Sequence, residues 1–254
     1  MEPVNRVIES HHNDLFKDLK RILTAKGIRR SHRALFGGPK IVRDTLARHP
    51  DRCEALVTAA GHDVVLPNPP RHLAEYRLSP ELFRIVDTAG TRFPLLLVKT
   101  PVISRWDPAE GLPSGASLLL PFQDPENVGA AIRSAAAFGI DRVILLAECA
   151  HPFLPKAIRA AGGWVLDVPF LQGPPLAELP EDLPVLPLST EGADIAEASF
   201  PETFALLPGL EGAGLPQAWR ARGVSIPHRA EVESLNAATA TAIALYLWSR
   251  RGEG

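Results

Sequence analysis

Residues 124–139 read Asp-Pro-Glu-Asn-Val-Gly-Ala-Ala-Ile-Arg-Ser-Ala-Ala-Ala-Phe-Gly, a helix with both ends marked. Asp124 is an N-cap residue, Pro125 suits the first helical position, and Gly139 can close the C-terminus in the left-handed conformation. Between them Val128, Ala131, Ile132, Ala135 and Ala136 recur at helical spacing and form one apolar stripe that must pack. Arg133 lies off that stripe. Asn127 falls in the first turn, near the positive end of the helix dipole, and Gly129 beside it leaves room for a ligand. Taken alone this is a capped surface helix carrying a solvated arginine.

Two later stretches turn the helix into part of a pattern. Residues 207–215 read Leu-Pro-Gly-Leu-Glu-Gly-Ala-Gly-Leu, a strand end running into a glycine-rich turn around Glu211. Residues 224–227 read Val-Ser-Ile-Pro, His228 follows, and Ser234-Leu-Asn236 stands at the entrance of an apolar C-terminal helix. The ordered set Asn127-x-Gly-x-x-x-Arg133, Gly209-x-Glu-Gly-x-Gly-Leu215, then Ile226-Pro227 and Ser234-Leu-Asn236 resembles the three motifs of the SpoU/TrmH family. These are RNA ribose 2′-O-methyltransferases of the SPOUT superfamily, and the resemblance spans roughly residues 115–250.

The resemblance implies a deep trefoil knot, a homodimer whose protomers share the site, and S-adenosylmethionine as methyl donor. It assigns Asn127, Arg133, Glu211, Ser234 and Asn236 to the reaction centre. Cofactor binding falls to Ser189, Thr190, Gly209, Leu210, Gly212, Ile226, Pro227 and Leu235, largely through backbone groups that glycine leaves approachable. A guanidinium stays protonated, so Arg133 is better suited to bind phosphate and stabilise a developing alkoxide than to act as a base. Three positions depart from the family pattern: Leu210 before the Glu, His228 in place of the usual Met, and Ala160 in place of a frequent Ser. His228 reads as a packed neutral ring.

The 254 residues are 46% hydrophobic with a formal net charge of −2, a composition for a soluble, globular chain. No run is long enough to span a membrane, and the opening residues lack a signal peptide. Cys53 and Cys149 stand far apart with no metal-ligand spacing, which suits idle thiols in a cytoplasmic protein without a metal. Charge is uneven: residues 1–50 hold eleven Lys/Arg against five Asp/Glu. Lys17, Lys20, Arg21, Lys26, Arg29, Arg30 and Arg33 gather around an expected helix at 13–25 and a basic loop after it, a surface suited to nucleic acid.

The fold class is therefore α/β, a C-terminal parallel-sheet domain preceded by a small α/β domain. Residues 1–105 resemble in pattern and placement the ribosomal-protein-like substrate-binding domain of the family, with helices at 40–48 and 80–87 and strands at 55–59 and 95–98. Residues 106–116, rich in Pro, Gly and Ser, read as a linker. Residues 117–254 form the methyltransferase domain. Strands are expected at 117–121, 142–147, 164–168, 185–189 and 204–207, and helices at 154–161 and 234–250. Trp106 reads as a domain-edge packing residue, with RNA stacking as the alternative. The implied substrate is structured RNA, rRNA ahead of tRNA. A catalytically silent knotted RNA-binding protein and a nucleotide-binding enzyme of another kind are the competing readings. The latter is opposed by the absence of Gly-x-Gly-x-x-Gly after the first strand.

Overall fold

A computed structural model describes residues 7–62, 66, 70–210, 214–229 and 231–250. The chain divides into two compact units, the first comprising Met1–Val102 with His151–Gly163, the second Ile103–Ala150 with Trp164–Gly254.

In the first unit, Asn13 accepts from the Phe16 N–H and starts α1 (Asp14–Arg21). Thr24 accepts from the Gly27 N–H and starts a second helix, α2 (Ala25–Ser31), where a loop was expected. Gly27 explains the discrepancy. A glycine inside a helix costs about 1 kcal/mol and reads as a breaker, but here a Cβ would lie 1.9 Å from the Arg21 carbonyl oxygen. The glycine lets α2 fold back against the end of α1. The chain continues through β1 (Arg33–Phe36), α3 (Pro39–Arg48), β2 (Cys53–Ala59), β3 (Ala74–Leu78), α4 (Pro80–Val86) and β4 (Leu95–Lys99). The strands form one sheet in the order β1-β4-β2-β3, with β4 antiparallel to β1 and β2, and β2 parallel to β3.

The second unit is a seven-stranded sheet. Its strands are β5 (Ser104–Arg105), β6 (Ala116–Leu120), β7 (Arg142–Leu145), β8 (Phe170–Gln172), β9 (Val185–Asp194), β10 (Phe204–Leu207) and β11 (Val224–Ser225). They run in the order β11-β9-β10-β6-β7-β8-β5, and every pair is parallel. Central parallel strands are covered on both faces and read as unbroken apolar runs. Accordingly Leu118, Leu119 and Leu120 of β6 and Leu207 of β10 are fully buried. Helix α5 (Pro125–Phe138) follows β6, α6 (Pro155–Ala160) lies in the segment belonging to the first unit, and α7 (Gln217–Arg220) and α8 (Ala237–Ser249) complete the fold. Helices α5 and α8 pack together.

Two expectations are corrected. Residues 164–166 form a 3-10 turn, and the strand begins at Phe170; the apolar run looks strand-like, but left-handed Gly162 and Gly163 place it in a turn. The last helix begins at Ala237 because Asn236 caps it. Residues 106–116 fall within the second unit. There Trp106 is buried, its indole N–H donating to the Gly111 carbonyl at 2.9 Å. Both cysteines are buried thiols outside any disulfide, and burial pushes the Cys53 pKa up to about 11. No helix among the described residues is long and apolar enough to cross a membrane.

Candidate active site

Helix α5 is anchored at both ends as its sequence dictates. Asp124 accepts from the Glu126 N–H at 3.0 Å, and Gly139 closes the helix at φ 76° with its N–H on the Ala135 carbonyl. Val128, Ala131, Ile132 and Ala135 are fully buried, so rotation of the helix is fixed. That presents Asn127 of the first turn to the start of α8. Asn236 there works at both ends of its amide: its Oδ1 accepts from the Thr239 N–H at 3.1 Å, capping α8, and from the Thr239 hydroxyl at 3.4 Å, and its Nδ2 donates to Asn127 Oδ1 at 3.2 Å.

A second close approach sets the other wall. β11 lies against the far end of β9, with Val224 opposite Ala193. A Cβ on Gly192 would stand 2.2 Å from the Gly223 oxygen, and one on Gly223 would stand 2.7 Å from the Ser189 Cβ. Glycines at both positions are what allow the strands to meet.

Between these walls lies a cavity of about 700 Å³, within the usual size range for small-molecule sites. Leu188, Ser189, Thr190 and Glu191 line it from β9, Pro208, Gly209 and Leu210 from the end of β10, and Ile226 and His228 from the segment after β11. Glu233, Ser234, Leu235, Asn236, Ala237 and Ala240 line it from the entrance and first turn of α8, and Asn127 from α5. A side chain at Gly209 would meet nothing nearer than the Leu188 oxygen at 3.8 Å, so the glycine leaves an open cradle for a ligand.

The structure therefore brings Asn127, Ser189, Thr190, Gly209, Leu210, Ile226, Ser234, Leu235 and Asn236 to one cavity. Pro227 is exposed and is not on its wall. Glu211 and Gly212 lie outside the described residues. Arg133 is exposed on α5, is not on the cavity wall, and has no hydrogen-bond or ion-pair partner among the described residues. His228 is exposed on the wall, contrary to the packed ring expected.

Three charged wall residues were not read from the sequence: Glu191, Arg220 and Glu233. Arg220 Nη1 stands 3.3 Å from Glu191 Oε1, and its Nη2 donates to Gln217 Oε1 at 2.6 Å. Nothing in a lone Glu or Arg separates a wall charge from a solvated one; the pairing is long-range and visible only in three dimensions. Among the described residues no three or more His, Cys, Asp or Glu come together as a metal site would require.

A parallel α/β sheet with a ligand-sized cavity beyond its strand ends is the arrangement of a nucleotide- or cofactor-binding enzyme. Residues 118–246 match the model of the SpoU rRNA Methylase family, and the chain belongs to that family. It is similar to a "Ribosomal RNA small subunit methyltransferase G 2" from Syntrophobacter fumaroxidans, 57% identical over 97% of this chain and 50% of that protein; the chain thus spans half of that relative's length. It is 30% identical, over 94% of this chain and 97% of the relative, to the 23S rRNA (guanosine(2553)-2′-O)-methyltransferase of Bacillus subtilis. The fold is that of an S-adenosylmethionine-bound rRNA methyltransferase from Sinorhizobium meliloti, with a TM-score of 0.73 at 23% identity, covering 97% of this chain and 98% of the other.

Proposed function

We propose that the protein transfers a methyl group from S-adenosylmethionine to a ribose 2′-hydroxyl of RNA, with rRNA as the substrate class. The observation that carries this reading is the single cavity walled by Asn127, Gly209, Ile226, Ser234 and Asn236, three separate motifs closed by the 3.2 Å Asn236–Asn127 bond. Volume, the open cradle at Gly209 and the polar backbone at the ends of β9 and β10 fit an adenosine-bearing cofactor, which supplies an electrophilic methyl group when bound. The wall residues then have distinct tasks. Backbone groups around Ser189, Thr190, Gly209, Leu210 and Ile226 hold the nucleoside, and cofactor binding extends to Gly212, Pro227 and Leu235. Asn127, Ser234 and Asn236 orient the ribose hydroxyl, and Glu211 orients Arg133 or Asn127. Proximity and preorganised dipoles supply most of the rate in such a site.

Arg133, exposed and without a partner among the described residues, binds the target phosphate and steadies the developing negative charge. Its position off the cavity wall supports a homodimer in which two protomers share the site. Residues 208–210 wall the same cavity as Val224, Ile226, His228 and residues 233–237, which supports the trefoil knot. The first unit serves as the RNA-binding domain: Lys26, Arg29 and Arg30 are exposed on α2 with no acidic partner among the described residues. By contrast Lys17, Arg21 and Arg33 are paired with Asp14, Asp18 and Glu54.

The test is to incubate the protein and methyl-labelled S-adenosylmethionine with unmodified small- and large-subunit rRNA transcripts and with tRNA. Label is expected in rRNA at one linkage made resistant to alkaline hydrolysis. Label on a base, or on tRNA alone, would redirect the assignment, and cofactor binding without transfer to any RNA would favour a catalytically silent protein.

A further inference from the structure

Methyl transfer to a ribose hydroxyl leaves one task unassigned among the residues above, because the hydroxyl proton must go somewhere. A guanidinium stays protonated and amides are not bases. We propose that His228 is the proton acceptor of the reaction, an assignment that rests on the methyl-transfer reading.

His228 stands on the cavity wall with Asn127, Ser234 and Asn236. Its Nδ1 lies 2.8 Å from the Ile226 carbonyl oxygen. A carbonyl only accepts, so Nδ1 carries the hydrogen and donates it, and the neutral ring has its lone pair on Nε2. The bond fixes the ring's tautomer and orientation in the way a general base requires, while its exposed edge returns the acquired proton to water. It is the only imidazole on this wall among the described residues. Among the described residues the other titratable or charged groups there are Glu191 on β9, Arg220 on α7 and Glu233 before α8. Glu191 is engaged by Arg220 at 3.3 Å. Carboxylates are weaker proton acceptors near neutral pH than imidazole.

The step balances. The 2′-oxygen forms a bond to the methyl carbon, the carbon–sulfur bond breaks with its electron pair passing to sulfur, and the hydroxyl proton moves to Nε2. The products are the 2′-O-methyl ribose, the neutral thioether and imidazolium, which then loses its proton to solvent.

Two variants separate this role from a structural one. His228→Asn retains a donor near the Nδ1 position for the Ile226 carbonyl but accepts no proton, and His228→Gln places an amide near the Nε2 position. Single-turnover transfer to the rRNA transcript labelled by the wild type is measured from pH 5 to 9, about two units either side of neutral, at saturating S-adenosylmethionine. Cofactor affinity is measured by calorimetry. The wild-type rate is expected to fall on the acid side with protonation of one group. Both variants should lose that limb and drop about a hundredfold or more, with the Asn variant binding cofactor as the wild type does. An Asn variant with wild-type rate, or an acid limb persisting in both variants, overturns the assignment. Loss of cofactor binding in the Asn variant also overturns it and makes His228 part of the cofactor pocket. A wild type that binds cofactor and methylates no ribose fails the parent reading instead, and this one with it.

Discussion

The His151 imidazole is buried, and its pKa is pushed down to about 4, first by burial and then by the nearby Arg29 charge. Its Nδ1 accepts from the Phe153 N–H at 3.3 Å, a role only the neutral ring can take. Unfolded, the ring titrates near its ordinary value of 6.5. Between the two values the unfolded chain binds a proton that the folded chain refuses, so stability is complete above pH 6.5 and is lost as pH falls toward 4. The displacement corresponds to roughly 3 kcal/mol. Melting measured by calorimetry at neutral pH and near pH 4 should show this loss, and His151→Gln should shrink it; an unchanged pH dependence in the variant would refute the account. Arg133 makes a second case at the same scale. Lysine keeps the charge but offers a point donor on a flexible stem in place of a planar fork. Arg133→Lys should therefore lower turnover by about a hundred- to a thousandfold with calorimetric cofactor affinity unchanged. Near-normal turnover would remove Arg133 from the reaction centre.

Asn236 joins two elements, and its cap of α8 can be separated from its bond to Asn127. Asp at that position keeps an N-cap acceptor and favours the helix dipole, but has no donor for Asn127. Asn236→Asp should melt close to the wild type and lose at least about tenfold in methyl transfer, whereas Asn236→Ala should also cost roughly 1 kcal/mol of stability. Equal melting of the two variants would mean the cap contributes nothing. Gly192→Ala drives a methyl into the Gly223 carbonyl, parting β11 from β9. It should weaken cofactor binding through Ser189 and Thr190 without touching the cofactor, as titration calorimetry would register.

These elements also show what was legible beforehand. Helix α5 was readable from cap to cap because its signals are local: a capping Asp, a Pro at the first position, a 3.6-residue stripe and a terminal Gly. The strand at Phe204–Leu207 was found to the residue, bounded by Pro201 and Pro208. By contrast β5 and β11 have two residues each and exist only through parallel partners distant in sequence. β1 and β3 were missed as well. Their burial patterns do not alternate, and their partners are set by the sheet, not by neighbours in the chain. At the cavity, Asn127, Gly209, Ile226, Ser234 and Asn236 meet on one wall and were legible as an ordered set, while Glu191, Arg220 and the exposure of His228 depend on which loops meet.

For the molecule as a whole, the apolar stripe of α8 is partly spent within the chain. Ala244 is fully buried, whereas Ile243 and Leu247 are half-covered and Tyr246 is 50% exposed beside Phe138 at 5.9 Å. An apolar face of this kind on one helix suits a two-fold contact between copies. Sedimentation at micromolar concentration should show a dimer, and Tyr246→Glu combined with Leu247→Glu should give a monomer with intact secondary structure. A monomeric wild type would refute the shared-site arrangement.

The first unit closes with a piece of chain that arrives late. Helix α6 packs on β1, yet between β4 and α6 the chain spells out β5, β6, α5 and β7 of the other unit. During synthesis at about 5–20 residues per second, the first sheet waits roughly 3–12 s for its last helix. Through that interval it carries uncovered apolar surface, so a cut after Val102 yields not an autonomous domain but the same exposed intermediate made permanent. Folding of this protein is then two interleaved tasks, and a ribosome that stalls between residues 103 and 150 should hand an unfinished first unit to chaperones. Pulse proteolysis of arrested nascent chains of increasing length would show protection of the first unit appearing only once residue 163 has cleared the exit tunnel.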